Sequence, residues 1–367
     1  MRVILSGGGT AGHIMPAIAV AESLKLQNPS TEILYIGALG GMEERLVPPY
    51  GIDFQGVRAR KLRKLFSLST IPVAYNLLLG YYEAKRYVKA FKADVVLSTG
   101  GYVAAAASLA GVKSGIPLVI CAPDAVPGRT NLLLARYAKK ISVVFPSTST
   151  YFRNNRCEVT GLPLRKGIVA EPNISQADAI ARFDGLRMDC FTVLVLGGSQ
   201  GAVGLNSVVL EALPRLNRES IQIIHQTGER NIAFCTSEVQ RLGITAQYHP
   251  VAFMDQRMMA MAQRAADLVV CRGGINTLSE LLQNHNPAIV VPLPSAYADH
   301  QTANARELVA HGAAQLLPEP GLSGEMLADA VLQLRRDTVR RMNMANNASL
   351  LAKPDAADRV ARLLMDH

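Results

Sequence analysis

The sequence predicts an α/β protein of two Rossmann-like domains, each a parallel sheet covered by helices, facing one another across a cleft. Three observations carry this. A short apolar strand, Val3–Ser6, runs into Gly7-Gly8-Gly9-Thr10-Ala11-Gly12-His13 and then into a helical stretch, Ile14–Leu24. Half a chain later Thr192–Leu196 runs into Gly197-Gly198-Ser199-Gln200-Gly201-Ala202, followed by a second helical stretch ending near Leu213. Between and beyond these turns, strand-like and helical segments alternate to the end of the chain. A strand, a glycine turn and a helix N-terminus form an anion site, because unpaired amides and the positive helix end converge there. Two such sites in tandem predict one domain for a nucleotide and one for its reaction partner.

The strands of the first half are expected at Val3–Ser6, Ile33–Gly37, Val95–Thr99, Leu118–Cys121, Ile141–Val144 and Cys157–Thr160. Those of the second half fall near Thr192–Leu196, Ile221–Gln226, Ala246–Pro250, Leu268–Cys271, Ala288–Val291 and Ala314–Leu317. Most are unbroken Val/Ile/Leu runs, the pattern of parallel strands covered on both faces. The boundary is expected in the stretch from Gly161 to Pro172, giving domains of 1–163 and 164–344. From about Leu322 the chain reads as helical, and its end, about 345–367, is expected to pack back on the first domain.

A length of 367 residues suits two domains, each with its own core, and 49% hydrophobic with 18% charged residues describes a folded globular protein. No apolar run reaches the 18 or so residues of a membrane helix; Tyr102–Val112 is the longest candidate. Arg2 leads at once into a strand, which argues against a signal peptide. Five scattered cysteines, Cys121, Cys157, Cys190, Cys235 and Cys271, fit neither a disulfide framework nor a zinc pattern and favour a reducing cytoplasm.

The net charge of +9 sits in the first half: residues 1–164 hold 19 Lys/Arg against 9 Asp/Glu, the remainder 19 against 20. Its densest point is Arg58, Arg60, Lys61, Arg63 and Lys64, followed by Leu65, Phe66, Leu68, Ile71 and Leu77–Leu79 with Tyr81 and Tyr82. Cations beside apolar side chains suit a protein resting on an anionic membrane surface. A solvated basic loop before a core-facing helix explains the same residues. No nucleic-acid motif accompanies the charge, so nucleic acid is not an expected partner.

Glycine turns after a first strand also occur in dinucleotide enzymes, but those place a carboxylate at the end of the second strand for the ribose diol. Here that strand ends Tyr35-Ile36-Gly37, which weakens a hydride-transfer reading. More specific is Cys271-Arg272-Gly273-Gly274-Ile275-Asn276-Thr277-Leu278-Ser279-Glu280, a strand end, a diglycine turn and a helix start in ten residues. Backbone amides from Ile275 to Leu278 would meet a diphosphate. Glu280 either accepts both hydroxyls of a ribose or serves its own helix as a capping-box glutamate. Asp299-His300-Gln301 and Asn304 follow the strand Ala288–Val291 at the carboxyl edge of the same sheet, where ligands are usually met. His13 invites two readings: a neutral imidazole taking a proton from a sugar hydroxyl, or a helix cap and acceptor-diphosphate contact. No Asp-x-Asp pair occurs, so no carboxylate metal site and no cofactor are expected.

Gly8–His13, Thr99-Gly100-Gly101-Tyr102, Gly197–Ala202, His225-Gln226-Thr227-Gly228, Cys271–Glu280 and Asp299–Asn304 occur in the order and near the spacing of one family. The chain resembles the MurG family of peptidoglycan N-acetylglucosaminyltransferases, and the resemblance covers nearly its whole length. It implies a B-type glycosyltransferase that moves GlcNAc from UDP-GlcNAc to an undecaprenyl-diphosphate muramyl-peptide, lipid I, in one inverting displacement to give lipid II. A related transferase acting on another lipid, and a weakly active paralogue acting as a cell-wall scaffold, are the alternatives. The expected partners are UDP-GlcNAc, the polyprenyl-diphosphate acceptor, the anionic inner membrane at its cytoplasmic face and other cell-wall enzymes. Carried over by motif, His13 is the catalytic base, and Gly9, Gly100, Gly101 and Tyr102 meet the acceptor. The donor falls to Thr10, Ala11, Gly12, Arg165, Ser199, Ile275, Asn276, Thr277, Leu278, Ser279, Glu280 and Gln301, with the backbone of Met254 reading uracil. The family's usual His-Glu-Gln-Asn is here Cys121-Ala122-Pro123-Asp124, so Asp124 stands where an asparagine contacts the donor sugar.

Overall fold

The computed structural model describes residues 1–59, 70–153, 156–168, 174–198, 201–244 and 247–366. Two compact units divide the chain: Met1–Lys166 together with Lys353–His367, and Gly167–Ala352. The first unit follows the order β1 (Arg2–Gly7), α1 (Ala11–Gln27), β2 (Glu32–Ala38), α2 (Met42–Leu46), β3 (Asp53–Val57) and α3 (Thr70–Phe91). It continues through β4 (Val95–Gly100), α4 (Ala104–Lys113), β5 (Leu118–Ala122), α5 (Arg129–Leu134), β6 (Ala138–Val143) and β7 (Cys157–Val159). Every pairing is parallel, in the order β3-β2-β1-β4-β5-β6-β7.

The expected strands are all present, and β3 is an addition. Its sequence, Asp-Phe-Gln-Gly-Val, alternates polar and apolar because it is an edge strand that pairs only with β2. α1 begins at Ala11 rather than Ile14, which brings His13 into the first helical turn. The covered faces form two cores. On one side Val3, Leu5, Ile14, Ile18, Val95 and Val119 pack with Val360, Ala361, Leu363 and Leu364 from the last helix of the chain. On the other, Ile4, Ile36, Val96 and Ile120 pack with Ala84, Val88, Ala106 and Ala110.

The second unit holds α6 (Gln176–Ile180), β8 (Phe191–Leu196), α7 (Val203–Asn217), β9 (Ile221–Gln226), α8 (Ile232–Leu242), β10 (Tyr248–Val251) and α9 (Gln256–Ala265). β11 (Leu268–Cys271), α10 (Ile275–Gln283), β12 (Ala288–Val290), α11 (His300–Ala310), β13 (Ala314–Leu316), α12 (Gly324–Arg336) and α13 (Thr338–Leu351) complete it. Its parallel sheet runs β10-β9-β8-β11-β12-β13. α13 stays with this unit because Met344 is buried in its core; only α14 (Ala356–Met365) returns to the first. The division after Lys166 has a local cause, since the Lys166 amide donates to Glu22 and the Arg165 guanidinium to the Tyr50 hydroxyl.

Both sheets reverse strand order beside their first strand, between β1 and β4 and between β8 and β11. That is where open α/β sheets bind ligands, outside the carboxyl ends of the strands. Register places the loops together: Gly7 pairs with Gly100 in the first sheet and Leu196 with Cys271 in the second. Among the described residues no helix is long and apolar enough to cross a membrane.

Candidate active site

In the first unit the turn after β1 and the turn after β4 are interlocked. The Gly8 amide donates to the Gly100 carbonyl at 3.3 Å, and a Cβ on Gly101 would stand 2.2 Å from the Gly8 carbonyl oxygen, so only glycine fits there. Tyr102 lies against Gly9, its ring carbon 2.9 Å from where a Cβ would be. Burial raises the Tyr102 phenol above its ordinary pKa, with the Glu43 carboxylate adding to the shift, so it remains a neutral donor.

His13 is fixed from two sides. Its Nδ1 lies 2.9 Å from the Thr99 carbonyl oxygen, and the Thr99 hydroxyl donates to the His13 carbonyl at 2.6 Å. A carbonyl only accepts, so Nδ1 carries a proton in this contact. Thr10 is the N-cap of α1, its carbonyl accepting from the His13 and Ile14 amides, and Ala11 and Gly12 fill the first turn. Asp124 is half-buried in the loop between β5 and α5, beside the β4 turn through the pairing of β4 with β5.

The second unit has the strand end, glycine turn and helix start that the sequence predicts. β11 ends at Cys271, Gly273 and Gly274 turn the chain, and α10 starts at Ile275 with Gly274 as N-cap. No side chain caps this helix and its first turn has no acidic residue, so the positive helix end is not offset by a carboxylate of its own first turn. Ile275, Asn276, Thr277, Leu278 and Ser279 occupy the first turn and a half. A capping-box glutamate would stand at Thr277, the third helical position; Glu280 is three residues further on, which removes the capping alternative. Instead Gln263 of α9 donates to the Glu280 carboxylate at 3.3 Å and, through its Oε1, accepts from Asn284 at 2.6 Å.

Gln301 holds the turn from behind. Its Oε1 accepts from the Gly273 amide at 3.1 Å and the Leu293 amide at 3.0 Å, while Asn304, fully buried, donates to the Gly273 carbonyl at 3.2 Å. The residues before them, Ala298 and Asp299, both take left-handed backbone, a strained pair at the start of α11. Met254 is buried between β10 and α9. Arg165, expected at the nucleotide, belongs to the first unit and stacks on the Tyr50 ring, 5.7 Å from its centre. Ser199 lies outside the described residues, as do Arg60 to Lys64 of the basic cluster and Leu65, Phe66 and Leu68 after them.

Three polar groups escaped sequence reasoning. Glu43 lies behind the first glycine turn, fully buried. Arg272 forms a two-pronged ion pair with Glu319, both contacts 2.9 Å, and also donates to the Val291 and Pro292 carbonyls, tying the turn after β11 to the ends of two neighbouring strands. His225 is buried between the Tyr248 hydroxyl and Asn206, and Asn206 in turn donates to the Thr227 carbonyl.

Residues 3–143 match the N-terminal domain model of glycosyltransferase family 28, and residues 192–360 match its C-terminal domain model. A UDP-N-acetylglucosamine–N-acetylmuramyl-(pentapeptide) pyrophosphoryl-undecaprenol N-acetylglucosamine transferase of Desulfitobacterium hafniense is 39% identical over 369 residues, covering 100% of this chain and 99% of the relative. The crystal structure of Acinetobacter baumannii MurG superposes with a TM-score of 0.79 at 31% identity, covering 100% of this chain and 99% of that one. The chain belongs to the MurG family of glycosyltransferases. A similarly named transferase of Geobacter sulfurreducens is 38% identical over 98% of this chain and 97% of its own. The fold is shared more widely: a Staphylococcus aureus MnaA–UDP structure superposes with a TM-score of 0.70 at 12% identity. The two parallel-sheet units are the N- and C-terminal domains of a B-type glycosyltransferase fold.

Proposed function

We propose that the protein transfers GlcNAc from UDP-GlcNAc to an undecaprenyl-diphosphate muramyl-peptide, giving lipid II for peptidoglycan synthesis. The full-length identity to relatives named for this reaction carries the reading, and the local geometry supplies its chemistry. The amides at the start of α10 would receive the UDP diphosphate, meeting the leaving-group charge without a metal. Glu280, oriented by Gln263, would accept the ribose hydroxyls. Nε2 of His13 would take the proton from the attacking hydroxyl of the acceptor sugar as that oxygen displaces UDP at the anomeric carbon, inverting it. Gly9, Gly100, Gly101 and Tyr102 would hold the acceptor, and Asp124, Thr10, Ala11 and Gly12 would border the donor sugar. The excess positive charge of residues 1–164 suits peripheral residence on the anionic cytoplasmic face of the inner membrane.

The test is transfer of labelled GlcNAc from UDP-GlcNAc to a short-chain lipid I analogue. Formation of the β-linked disaccharide lipid, with UDP released in equal amount, is the expected result; hydrolysis of UDP-GlcNAc without transfer would overturn the assignment.

A further inference from the structure

α9 buries three alanines, Ala260, Ala262 and Ala265, and among them one glutamine, Gln263, 1% exposed. A carboxamide in such a place is costly unless both its ends are hydrogen-bonded, and here the partners fix which end points where. The Asn284 side-chain nitrogen, at the end of α10, faces two backbone carbonyls, Glu280 at 3.0 Å and Ile168 at 3.3 Å. Carbonyls only accept, so that atom is the amide nitrogen, and the Gln263 atom 2.6 Å from it must be Oε1. The remaining end of Gln263, its Nε2, therefore donates, and it meets Glu280 Oε2 at 3.3 Å. Asn286 holds the other side of the residue, donating to the Gln263 carbonyl at 2.9 Å. A chain of carboxamides thus runs from Ile168 and the end of α10 through α9 and back to the carboxylate of Glu280.

We propose that Gln263, locked by Asn284 and Asn286, is a positioning residue that sets how strictly the nucleotide site demands a ribose rather than a deoxygenated sugar. The inference rests on the reading of Glu280 as the acceptor of the ribose hydroxyls. Two neighbouring hydroxyls meet one carboxylate only when its plane is turned to both, and a half-buried glutamate side chain has several rotamers to choose from. Gln263 selects one of them before the nucleotide arrives, so the ordering cost is met in folding rather than in binding. A carboxylate offers about four lone-pair sites, so a bond from Gln263 is compatible with bonds from two hydroxyls. The donor is a neutral carboxamide, so it orients Glu280 without an ion pair that a hydroxyl would have to displace. A nucleotide lacking the hydroxyls gains nothing from this orientation, and discrimination follows from that difference.

Calorimetric affinities for UDP and for 2′,3′-dideoxyuridine diphosphate, measured on the full chain as wild type, Gln263→Met, Glu280→Gln and the double variant, test this. Methionine keeps the length and volume of glutamine but can neither donate to Glu280 nor take its place in the chain. Wild type should prefer UDP over the dideoxy nucleotide by about tenfold or more. Gln263→Met should lower UDP affinity by about three- to tenfold and leave the dideoxy affinity unchanged, so that the preference shrinks. In the Glu280→Gln background the same substitution should have no further effect on the preference. Equal losses for both nucleotides would make Gln263 a packing residue and overturn the proposal, as would an unchanged preference. Should Gln263→Met fail to fold, Gln263→Glu keeps the oxygen that faces Asn284 and replaces only the donor; the same loss of preference is expected, and a wild-type preference there overturns the proposal. If Glu280→Gln itself keeps the wild-type preference, the ribose reading of Glu280 fails and the inference falls with it, whereas a preference lost in Glu280→Gln and kept in Gln263→Met refutes the role of Gln263 alone.

Discussion

Two histidines stand in opposite surroundings. His13 is half-buried with Nδ1–H committed to the Thr99 carbonyl, and it is the proposed base. His13→Gln should keep UDP affinity within about twofold while lowering kcat by about 10²–10⁴-fold, the usual cost of a lost general base; calorimetry and turnover measured side by side check this. His225 is fully buried, and burial alone holds its pKa down to about 3. In the unfolded chain it titrates near 6.5, so between these values the unfolded state binds the extra proton. Its contribution to stability is complete above about pH 6.5 and is lost as the pH falls towards 3, by up to about 1.4 kcal/mol per pH unit. Urea unfolding at pH 6.5 and pH 5 should show wild type losing about 2 kcal/mol more than His225→Gln over that interval.

At the scale of elements, the buried Arg272–Glu319 pair holds three loop ends of the second sheet together. The Arg272 side chain is 9% exposed and that of Glu319 17%, so water screens the pair poorly. Glu319→Gln leaves a guanidinium without its counter-charge and should destabilise the second unit by about 3–5 kcal/mol, measured by denaturant unfolding. The double variant Arg272→Met with Glu319→Leu should recover much of that loss, because apolar groups of similar volume need no partner. Which elements exist was legible because the strands covered on both faces are continuous apolar runs, and the exception, β3, is an edge strand with alternating polarity. The turn after β11 was legible as a structure because its strand end, glycines and helix start are contiguous from Cys271 to Glu280. Glu319 was not, because its partner Arg272 lies 47 residues away, and Glu43 was not, because its contact with the first glycine turn, at Gly9, spans 34 residues even though its other partner, Ala38, is only five away. The nearest local signal for Glu43 was the run of glycines at 37, 40 and 41 just before it, which composition alone assigns to a turn.

For the whole molecule, charge is the property that belongs to no single element. The +10 of residues 1–164 against −1 for the rest predicts a protein that meets an anionic bilayer through its first unit. Each cation near such a surface contributes on the order of 1 kcal/mol and is screened as salt rises. Sedimentation with phosphatidylglycerol-containing vesicles should therefore fall when Arg58, Arg60, Lys61, Arg63 and Lys64 are replaced by serine, and fall for the wild type at high salt. Binding indifferent to both would assign the cluster to a solvated loop.

The packing of Val360, Ala361, Leu363 and Leu364 among Val3, Leu5 and Ile18 has a consequence for biosynthesis. A ribosome makes the first strand of this core long before the helix that covers it. At about 5–20 residues per second, a chain of 367 residues keeps β1 and α1 waiting for some tens of seconds before α14 can cover them. The second unit, contiguous from Gly167 to Ala352, is complete earlier. Translation thus finishes the later unit before the earlier one, and the nascent protein carries an uncovered apolar face through nearly all of its synthesis, an interval in which chaperone binding would be expected to concentrate on its N-terminal third.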